Sequence, residues 1–415
     1  MARDKTDIQV YAHWKGMPNP VRMGTLSALE NRGHLTWSFT YDKRWLATQV
    51  QQILDPDLQW VDGPQYSPDK PNFGIILDSM PDRWGKTLMQ RREAILNKNG
   101  ERKRLSDVDY LLGVNDLTRM GGLRFKLDED GPFLDDNDQK AVPPLTALRE
   151  LQYAAAIVET DQDSEEVRKW LRVLLAPGSS LGGARPKASV SDEQGNLWIA
   201  KFPSRQDDLD KGAWEYLAWE LARDAGIVVP DAELMKVRGR YRTFLSKRFD
   251  REGATRIHFA SAMTMTGRFE ADEREPPSYL ELAEFLQFYG ASPAEDLQQL
   301  WRRVVFNIAI SNTDDHIRNH GFMISNNGWR LSPAYDMNPS VDKNGLALNI
   351  DLTSNALDFE LAKDVGEYFN LSKEQMNHIL DDVTGVVSTW KQRAQKLGIP
   401  AAQIRVMEAA FTTEI

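Results

Sequence analysis

The segment SNTDDHIRNHGF, Ser311–Phe322, concentrates side chains that could carry out chemistry. Asp314 precedes Asn319 by five positions, and Asp336 follows beyond the tight-turn signal NNG. Phosphoryl transfer needs one carboxylate that accepts or orients the attacking hydroxyl, and further carboxylate or amide oxygens that hold magnesium. A hairpin around NNG would return Asp336 to the side of Asp314, so the three residues predict a phosphoryl-transfer site.

The histidines of this segment leave a second interpretation open. His316 and His320, with the neighbouring aspartates, could bind the metal of a hydrolase, because imidazole and carboxylate groups are good metal ligands. Histidines four positions apart share one metal only on a continuous helix, however, and Gly321 favours a loop. By itself His316 is slightly more typical of a structural histidine that bonds a backbone carbonyl than of a catalytic base. The pattern also allows Asp315 to be a solvated loop residue.

Lys201 is a further candidate residue of this site, and the strand that carries it would have to position it there. It ends the apolar strand segment LWIAKF, where its ammonium must be paired or reach water. Glu215 on the following helix is the first candidate partner, with Glu220 as a second. Protein kinases hold ATP phosphates with a strand lysine paired to a helix glutamate. The alternative is an edge-strand lysine that faces water.

A second supporting element is the segment SSLGGARPKA, Ser179–Ala188. Its two glycines let backbone N–H groups approach an anion, and Ser, Arg and Lys side chains surround them. It matches neither the Walker A pattern nor G-x-G-x-x-G. A phosphate-binding loop and a tight hairpin turn therefore both remain open for these residues.

The apolar pattern predicts a small antiparallel sheet near the N-terminus, with strands in IQVYAHW, MGTLSAL and HLTWSFTYD. Helices are expected in KRWLATQVQQIL, in Leu77–Leu96 with Ser79 or Asp82 as the cap, and in SDVDYLLGVND after Ser106. From Tyr279 onward the pattern is mostly helical. The acidic segment that ends near Pro144 is predicted to be a linker.

Three hairpins are expected in the second half of the chain. One has Gly195 in its turn, and another lies in MKVRGRYRTFLSKRFDR. The third should pair Phe322–Ile324 with Trp329–Leu331 across NNG, which would place the candidate site at its base. The methionines of FASAMTMTG are expected to lie in the core.

Composition limits the classes of function. A chain of 415 residues is too long for one ordinary core, so two or three subdomains are expected. A net charge of −10 argues against a protein that binds nucleic acid over its whole surface. The absence of cysteine excludes disulfides, cysteine-ligated zinc and thiol catalysis, and it fits a cytoplasmic protein. With no signal-peptide pattern and no long apolar run, we expect no membrane segment.

Seven motifs in one order resemble the HipA family, the kinase-like toxins of bacterial toxin–antitoxin pairs. The N-terminal strands and the segment LDSMPDRWGKTLM are similar to the first part of full-length members. The core motifs are SSLGGARPKA, AKFPS, WEYLAWELARDAGI, SKRFDR, NTDDHIRNHGF and LSPAYDMNPS.

The resemblance implies an α+β fold in two domains. Residues 1–143 would form a small β-rich subdomain that ends in the acidic linker, and residues 144–415 a bilobal kinase-like core. Within the core, residues 144–255 would be the nucleotide-binding lobe, and residues 256–415 a mostly helical catalytic lobe.

The resemblance also implies an activity, which is transfer of the ATP γ-phosphate to a protein serine or threonine with Mg²⁺. By position, Asp314 matches the catalytic aspartate and His316 the catalytic-loop histidine. Asn319 and Asp336 match the metal ligands, and Lys201 matches the lysine that holds the ATP phosphates. This set is intact, which favours an active kinase.

Further ATP contacts are implied by position, at residues of the glycine loop, the adenine hinge and the metal segment: Ser180, Gly182, Gly183, Lys247, Phe249 and Tyr335. Lys247 departs from the family pattern, which often has an acidic residue there. Ser180, or the adjacent Ser179, matches the autophosphorylated position of the loop that covers ATP. A phosphate there would add about two negative charges and expel the loop by repulsion.

The family's usual partner is a helix-turn-helix antitoxin of the HipB type, which here would be a separate chain that brings operator DNA into the complex. The family's known targets make a component of translation a candidate protein substrate. Two other functions remain open. One is a regulatory scaffold with a degenerate kinase fold, acting through the antitoxin and DNA, and the other is a kinase of small molecules.

Overall fold

The computed structural model describes residues 4–31, 34–48, 52–67, 70–96, 104–134, 142–160, 165, 171, 174, 183, 185–270 and 276–414. The chain forms two compact units. The first comprises Met1–Ala200, Asp250–Ala260 and Gly267–Glu270, and the second comprises Lys201–Phe249, Ser261–Thr266 and Ala271–Ile415. These units group the residues differently from the boundary at 143/144, which stays a prediction. Helices and antiparallel sheets occur together, as expected for the α+β class.

The first unit contains the sheet that the N-terminal pattern predicted. Its five antiparallel strands have the order β4-β3-β2-β1-β5. The strands are β1 Asp4–Ala12, β2 Val21–Asn31, β3 His34–Tyr41, β4 Pro64–Tyr66 and β5 Leu123–Lys126. Alternate residues such as Ile8, Val10 and Phe39 are fully buried, so one face of the sheet packs on the core.

The helices of this unit correct two expectations. They span Lys43–Leu46, Gly74–Asp78, Arg83–Leu96, Asp107–Leu112 and Leu148–Val158. The predicted Leu77–Leu96 helix is broken around Pro81, because proline lacks an N–H and disfavours helical geometry in the residue before it. Asp82, one of the two predicted caps, caps the second piece by accepting from the N–H of Gly85 at 2.7 Å. The helix predicted in KRWLATQVQQIL ends at Leu46, whereas Ser106 caps its helix as expected.

The remaining strands of the first unit lie later in the chain. They are β6 Lys187–Ser191, β7 Leu197–Lys201, β10 Arg251–Glu252, β11 Thr255–Arg256 and β12 Phe259–Ser261. The last residues of β7 and β12, Lys201 and Ser261, already belong to the second unit. Gly195 lies in the turn between β6 and β7 with a φ of +80°, as expected. Strand β7 therefore delivers Lys201 at its last position.

The second unit is mostly helical. Its helices are Lys211–Asp224, Ala262–Met265, Tyr279–Tyr289, Pro293–Ala309, Phe359–Asp364, Lys373–Val387, Trp390–Lys396 and Ala401–Val406. The helix Pro293–Ala309, called the long helix below, buries Leu300, Trp301, Val304 and Ile308 completely. None of the helices in the described part of the chain is long and apolar enough to cross a membrane.

Two hairpins of the second unit confirm the sequence-based expectations. Strands β8 Ala232–Met235 and β9 Thr243–Lys247 pair antiparallel. Strands β13 Gly321–Ser325 and β14 Gly328–Leu331 pair with Phe322 opposite Leu331. The NNG turn uses Gly328 at a φ of +136°, a conformation that glycine adopts easily. The hairpin joins the residues that follow the long helix to the segment of Asp336.

Candidate active site

Lys201 lies between two carboxylates, in an arrangement that the sequence predicted only in part. Its ammonium forms ion pairs with Glu215 on the helix Lys211–Asp224 and with Asp336, the latter at 2.5 Å. Burial alone would lower the pKa of Lys201, but the charges of Asp336 and Glu215 raise it above its ordinary value. The lysine is therefore a fixed positive charge, and it does not face water as an edge-strand lysine would.

The segment Ser311–His320, called the aspartate loop below, follows the long helix and leads into β13. Ser311 turns the chain out of the helix with a φ of +47°. The backbone N–H of Asn312 then returns to the carbonyl of Asn307 at 2.9 Å. The first residues of the loop therefore lie against the last turn of the long helix.

Asp314 and His316 are both exposed, whereas Asn319 is buried. The Nδ2 of Asn319 donates to the carbonyl oxygen of Asp314 at 3.1 Å, and the backbone N–H of His316 donates to the same oxygen at 2.8 Å. Since a carbonyl only accepts, this contact fixes the orientation of the Asn319 amide, with Nδ2 toward Asp314. Its Oδ1 is the atom suited to a cation.

Asp315 is buried, so the interpretation of a solvated loop residue is wrong. Its Oδ2 accepts from the Tyr279 hydroxyl at 2.5 Å, from Asn307 Nδ2 at 2.7 Å and from His320 Nε2 at 2.7 Å. Burial and the Asp315 carboxylate raise the pKa of Tyr279 well above its ordinary value, so the phenol stays a donor. One carboxylate oxygen thus ties the loop to both neighbouring helices.

The metal-hydrolase interpretation does not agree with the positions of the histidines. His320 is buried and its Nε2–H donates to Asp315, while His316 is exposed to solvent. In the described ranges, no group of three or more His, Asp or Glu side chains could hold a metal ion.

Asp336 has a backbone φ of +59°, which is unusual for a residue with a side chain. Asn338 supports it by donating from Nδ2 to the Asp336 carbonyl at 3.2 Å. The backbone N–H of Asn338 in turn donates to the Oδ1 of Asn312 at 3.3 Å. A second bond joins the two segments, from the N–H of Ser340 to the carbonyl of Ser311 at 3.2 Å. The aspartate loop and the Asp336 segment are therefore fastened together.

Other predicted nucleotide contacts have defined places in the second unit. The rings of Phe249 and Tyr335 lie 5.5 Å apart between centroids, and the Tyr335 hydroxyl donates to the carbonyl of Arg318 at 2.8 Å. Lys247 ends strand β9 and pairs with Asp231 at 3.3 Å. Phe249 and Tyr335 form an aromatic pair that could stack on a base, and their role stays a prediction.

Of the glycine loop the structure describes Gly183 and residues 185–188, which belong to the first unit. Ser179, Ser180 and Gly182 lie outside the described residues. Gly183 has a φ of +95°, and its carbonyl accepts from the backbone N–H of Trp84 and from Lys187 Nζ, each at 3.3 Å. Gly183 is thus held in the first unit.

The polar residues around Asp315 were largely missed by sequence reasoning. Asn307 and Asn312 are buried, and Tyr279 was assigned to a helix without a role. A signal was present in Asn307, because an asparagine inside the apolar run WRRVVFNIAI must find buried partners. The sequence alone does not say which partners these are.

A comparison with known protein families identifies the family of this chain. A profile described as the HipA-like C-terminal domain matches residues 179–390, about half of the chain. The chain belongs to this family. The matched range contains Lys201, the aspartate loop and Asp336.

Two curated relatives of this HipA-like chain share part of its length. A Haemophilus influenzae protein named "Putative kinase" is 26% identical over 180 residues, which cover 38% of this chain and 52% of that protein. The Escherichia coli protein named "Toxin YjjJ" is 26% identical over 174 residues, which cover 40% of this chain and 39% of that protein. The chain therefore spans about half or less of the length of these relatives.

A solved structure extends the likeness over nearly the whole chain. It is a chain from the complex of the Shewanella oneidensis MR-1 toxin–antitoxin system HipA, HipB and its operator DNA. The TM-score is 0.67 at 16% identity, with 97% of this chain and 94% of that chain covered. The likeness confirms the HipA-type α+β fold that the sequence predicted.

Proposed function

We propose that this HipA-like chain is an ATP- and Mg²⁺-dependent serine/threonine protein kinase that acts as the toxin of a toxin–antitoxin pair. The observation that carries the proposal is Lys201, which pairs with the buried Glu215 on a helix and with Asp336 at 2.5 Å. A lysine held by a helix glutamate and placed beside a metal-binding aspartate is the arrangement that positions ATP phosphates in kinases. Membership of the HipA-like family supports the same activity.

Each of the candidate site residues has one role in this proposal. Asp314 is the exposed carboxylate of the aspartate loop, and it accepts the proton of the attacking hydroxyl or orients that hydroxyl. Lys201 supplies positive charge to the ATP phosphates. His316, exposed beside Asp314, supports the loop, and Phe249 and Tyr335 contact the adenine.

The donor set fits magnesium. Mg²⁺ prefers oxygen ligands and uses few protein groups besides phosphates and water. Asn319 would provide Oδ1, because its Nδ2 is bound to the Asp314 carbonyl, and Asp336 would provide its carboxylate. When bound, the ion neutralises negative charge on the phosphates. The chain's own contribution would be to hold the Asp336 carboxylate beside Lys201 and to orient the Asn319 amide.

The family context supports a regulatory cycle. We place autophosphorylation at Ser180 or Ser179, in a loop rich in glycine, where added negative charge would repel ATP phosphates. The solved Shewanella oneidensis structure is a complex of HipA, HipB and its operator DNA. By that likeness, a helix-turn-helix antitoxin of the HipB type would bind this chain and bring it to operator DNA. The protein substrate would be a serine- or threonine-containing protein such as a component of translation.

The test is incubation of the purified chain with ATP and Mg²⁺, followed by mass spectrometry of tryptic peptides. Phosphate is expected on Ser180 or Ser179 in the wild type, and none in Asp314→Asn or Asp336→Asn. The matched control is Asp381→Asn, which makes the same substitution at an exposed residue of the second unit and should keep full phosphorylation. Equal phosphorylation in all variants would overturn the site, and none in dephosphorylated wild type would overturn the activity.

The toxin role needs a second experiment in cells. Induced expression of the wild-type chain should arrest growth, while Asp314→Asn should not. Co-expression of a helix-turn-helix antitoxin of the HipB type should restore growth. Growth arrest by the Asp314→Asn variant would contradict a toxin that works by phosphorylation.

A further inference from the structure

A chain of buried amides connects the aspartate loop to the Asp336 segment. Asp315 Oδ2 accepts from Asn307 Nδ2 at 2.7 Å, and Asn307 Oδ1 accepts from Asn312 Nδ2 at 3.0 Å. Asn312 Oδ1 accepts from the N–H of Asn338 at 3.3 Å, and Asn338 holds the carbonyl of Asp336. Each link is within hydrogen-bond distance, so the path from Asp315 to Asp336 is continuous.

Only one arrangement of hydrogen-bond donors and acceptors is possible along this path. A carboxylate only accepts, so Asn307 must present Nδ2 to Asp315 and Oδ1 to its other neighbour. A backbone N–H only donates, so Asn312 must present Oδ1 to Asn338 and Nδ2 to Asn307. The two ends therefore fix both amide orientations independently, and they agree. Three buried side chains with one permitted orientation form a rigid connection.

The path also holds backbone conformations that are unfavourable by themselves. Ser311 and Asp336 both have left-handed φ angles, of +47° and +59°. Such conformations persist when surrounding contacts over-determine them, and they often lie at functional sites. Here the amide path and the bond from Ser340 to Ser311 connect the two strained positions.

Asp315 anchors the path at its far end. Besides Asn307, its Oδ2 accepts from Tyr279 at 2.5 Å and from His320 at 2.7 Å. The buried guanidinium of Arg303, which donates to the carbonyl of Ser332, lies close enough to interact with the Asp315 charge. Because the neighbour of Asp315 in the chain is Asp314, fixing the buried carboxylate also fixes where the exposed one can lie.

We propose that Asn307, Asn312 and Asp315 are positioning residues that hold Asp314 and Asp336 in the mutual geometry needed for phosphoryl transfer. The proposal rests on the kinase function proposed above and goes beyond it, since these residues would touch neither ATP nor the protein substrate. They would act on the rate of the transfer step more than on the binding of ATP. A displacement of about 1 Å between reacting groups can lower a rate about 100-fold.

The discriminating variant is Asn312→Asp, which keeps the shape of the side chain and replaces its donor by an acceptor. The new oxygen then faces Asn307 Oδ1, and rotation of Asn307 would only move the contact between two acceptors to Asp315. We expect the maximal rate of autophosphorylation with ATP and Mg²⁺ to fall about 100-fold, with the half-saturating ATP concentration changed less than about threefold. Asn349→Asp is the control, because Asn349 is a buried asparagine of the same unit outside the path.

A second pair of variants covers the case in which Asn312→Asp does not fold. Asp315→Asn retains an oxygen for the three donors and should keep the maximal rate within about tenfold of wild type, whereas Asp315→Ala should lose about 100-fold. Thermal melting of each variant separates loss of folded protein from loss of rate. Equal rates in these two variants, or an undiminished rate in folded Asn312→Asp, would overturn the positioning role while leaving an active wild type. An inactive wild type would instead overturn the kinase function.

Discussion

Replacing Lys201 by methionine separates the structural task of this residue from its catalytic one. Methionine keeps most of the apolar stem but removes the charge that Glu215 and Asp336 share. The Glu215 side chain is 7% exposed, and that of Asp336 is 33% exposed. The variant therefore leaves one carboxylate almost fully buried without its lysine, and a second one that water can partly solvate.

The magnitude follows from this difference in burial. Removal of one partner from a buried ion pair destabilises a protein by about 3–5 kcal/mol. Since water reaches Asp336, we assign the cost to Glu215 and take the lower end, about 3 kcal/mol. For a unit of this size that corresponds to a melting temperature lower by about 6–12 °C. Replacing Glu215 by glutamine in the Lys201→Met protein removes the buried negative charge that Lys201 balanced. This second change should recover about half or more of the lost free energy of unfolding.

The assay is thermal melting of four proteins, namely wild type, Lys201→Met, Glu215→Gln and the double variant, together with autophosphorylation. Both proteins that lack Lys201 should fail to transfer phosphate, although only the single variant is strongly destabilised. Lys391→Met is the control, because both side chains of its ion pair with Glu408 are exposed and its melting temperature should barely change. If Glu215→Gln recovers no stability in the Lys201→Met background, the buried charge is not the cause.

Three further predictions concern stability. Burial lowers the pKa of His258 to about 3 from an ordinary 6.5, so unfolding takes up a proton between these values. The free energy of unfolding should then fall by about 1.4 kcal/mol per pH unit below 6.5, and His258→Phe should flatten urea denaturation midpoints between pH 6.5 and 4. Gly328→Ala places a Cβ 2.6 Å from a backbone oxygen and should cost about 3 kcal/mol, whereas Gly195→Ala, with open space around it, should cost about 1 kcal/mol in the same melts. Asp82→Ala removes the carboxylate that pairs with the buried Lys187 at 2.9 Å and should cost about 3 kcal/mol, part of which Lys187→Met in the same protein should restore.

Local chemistry explains which parts of the fold were predictable. The NNG turn, the alternating strands of the first sheet and the cap at Ser106 depend on neighbouring residues, and each lies where the sequence placed it. The ion pair of Lys201 with Glu215 could also be predicted from the sequence, because the two residues lie on consecutive elements. Asp82 was one of the two predicted caps, so a helix start at Arg83 was among the expectations, whereas the separate short helix Gly74–Asp78 was missed because apolar residues on both sides of Pro81 continued the helical pattern.

The burial of Asp315 was beyond sequence reasoning for a physical reason. Asp314 and Asp315 are chemically identical neighbours, and only tertiary packing decides which of them faces solvent. The donors to Asp315 come from Tyr279, 36 positions earlier, and from His320, five positions later. The ion pair of Lys201 with Asp336 spans 135 positions. Spacing along the chain identified the chemistry of the site, whereas the contacts that position it come from distant segments.

The left-handed backbone of Asp336 restricts which residues evolution or an experimenter can place there. Besides glycine, only asparagine and aspartate adopt this conformation readily. An alanine at position 336 would change the charge and the conformational preference together, so its effect would have two causes. Asparagine changes the charge alone. It therefore provides the cleaner inactive reference protein, one in which the loop should keep its conformation while partner proteins are captured.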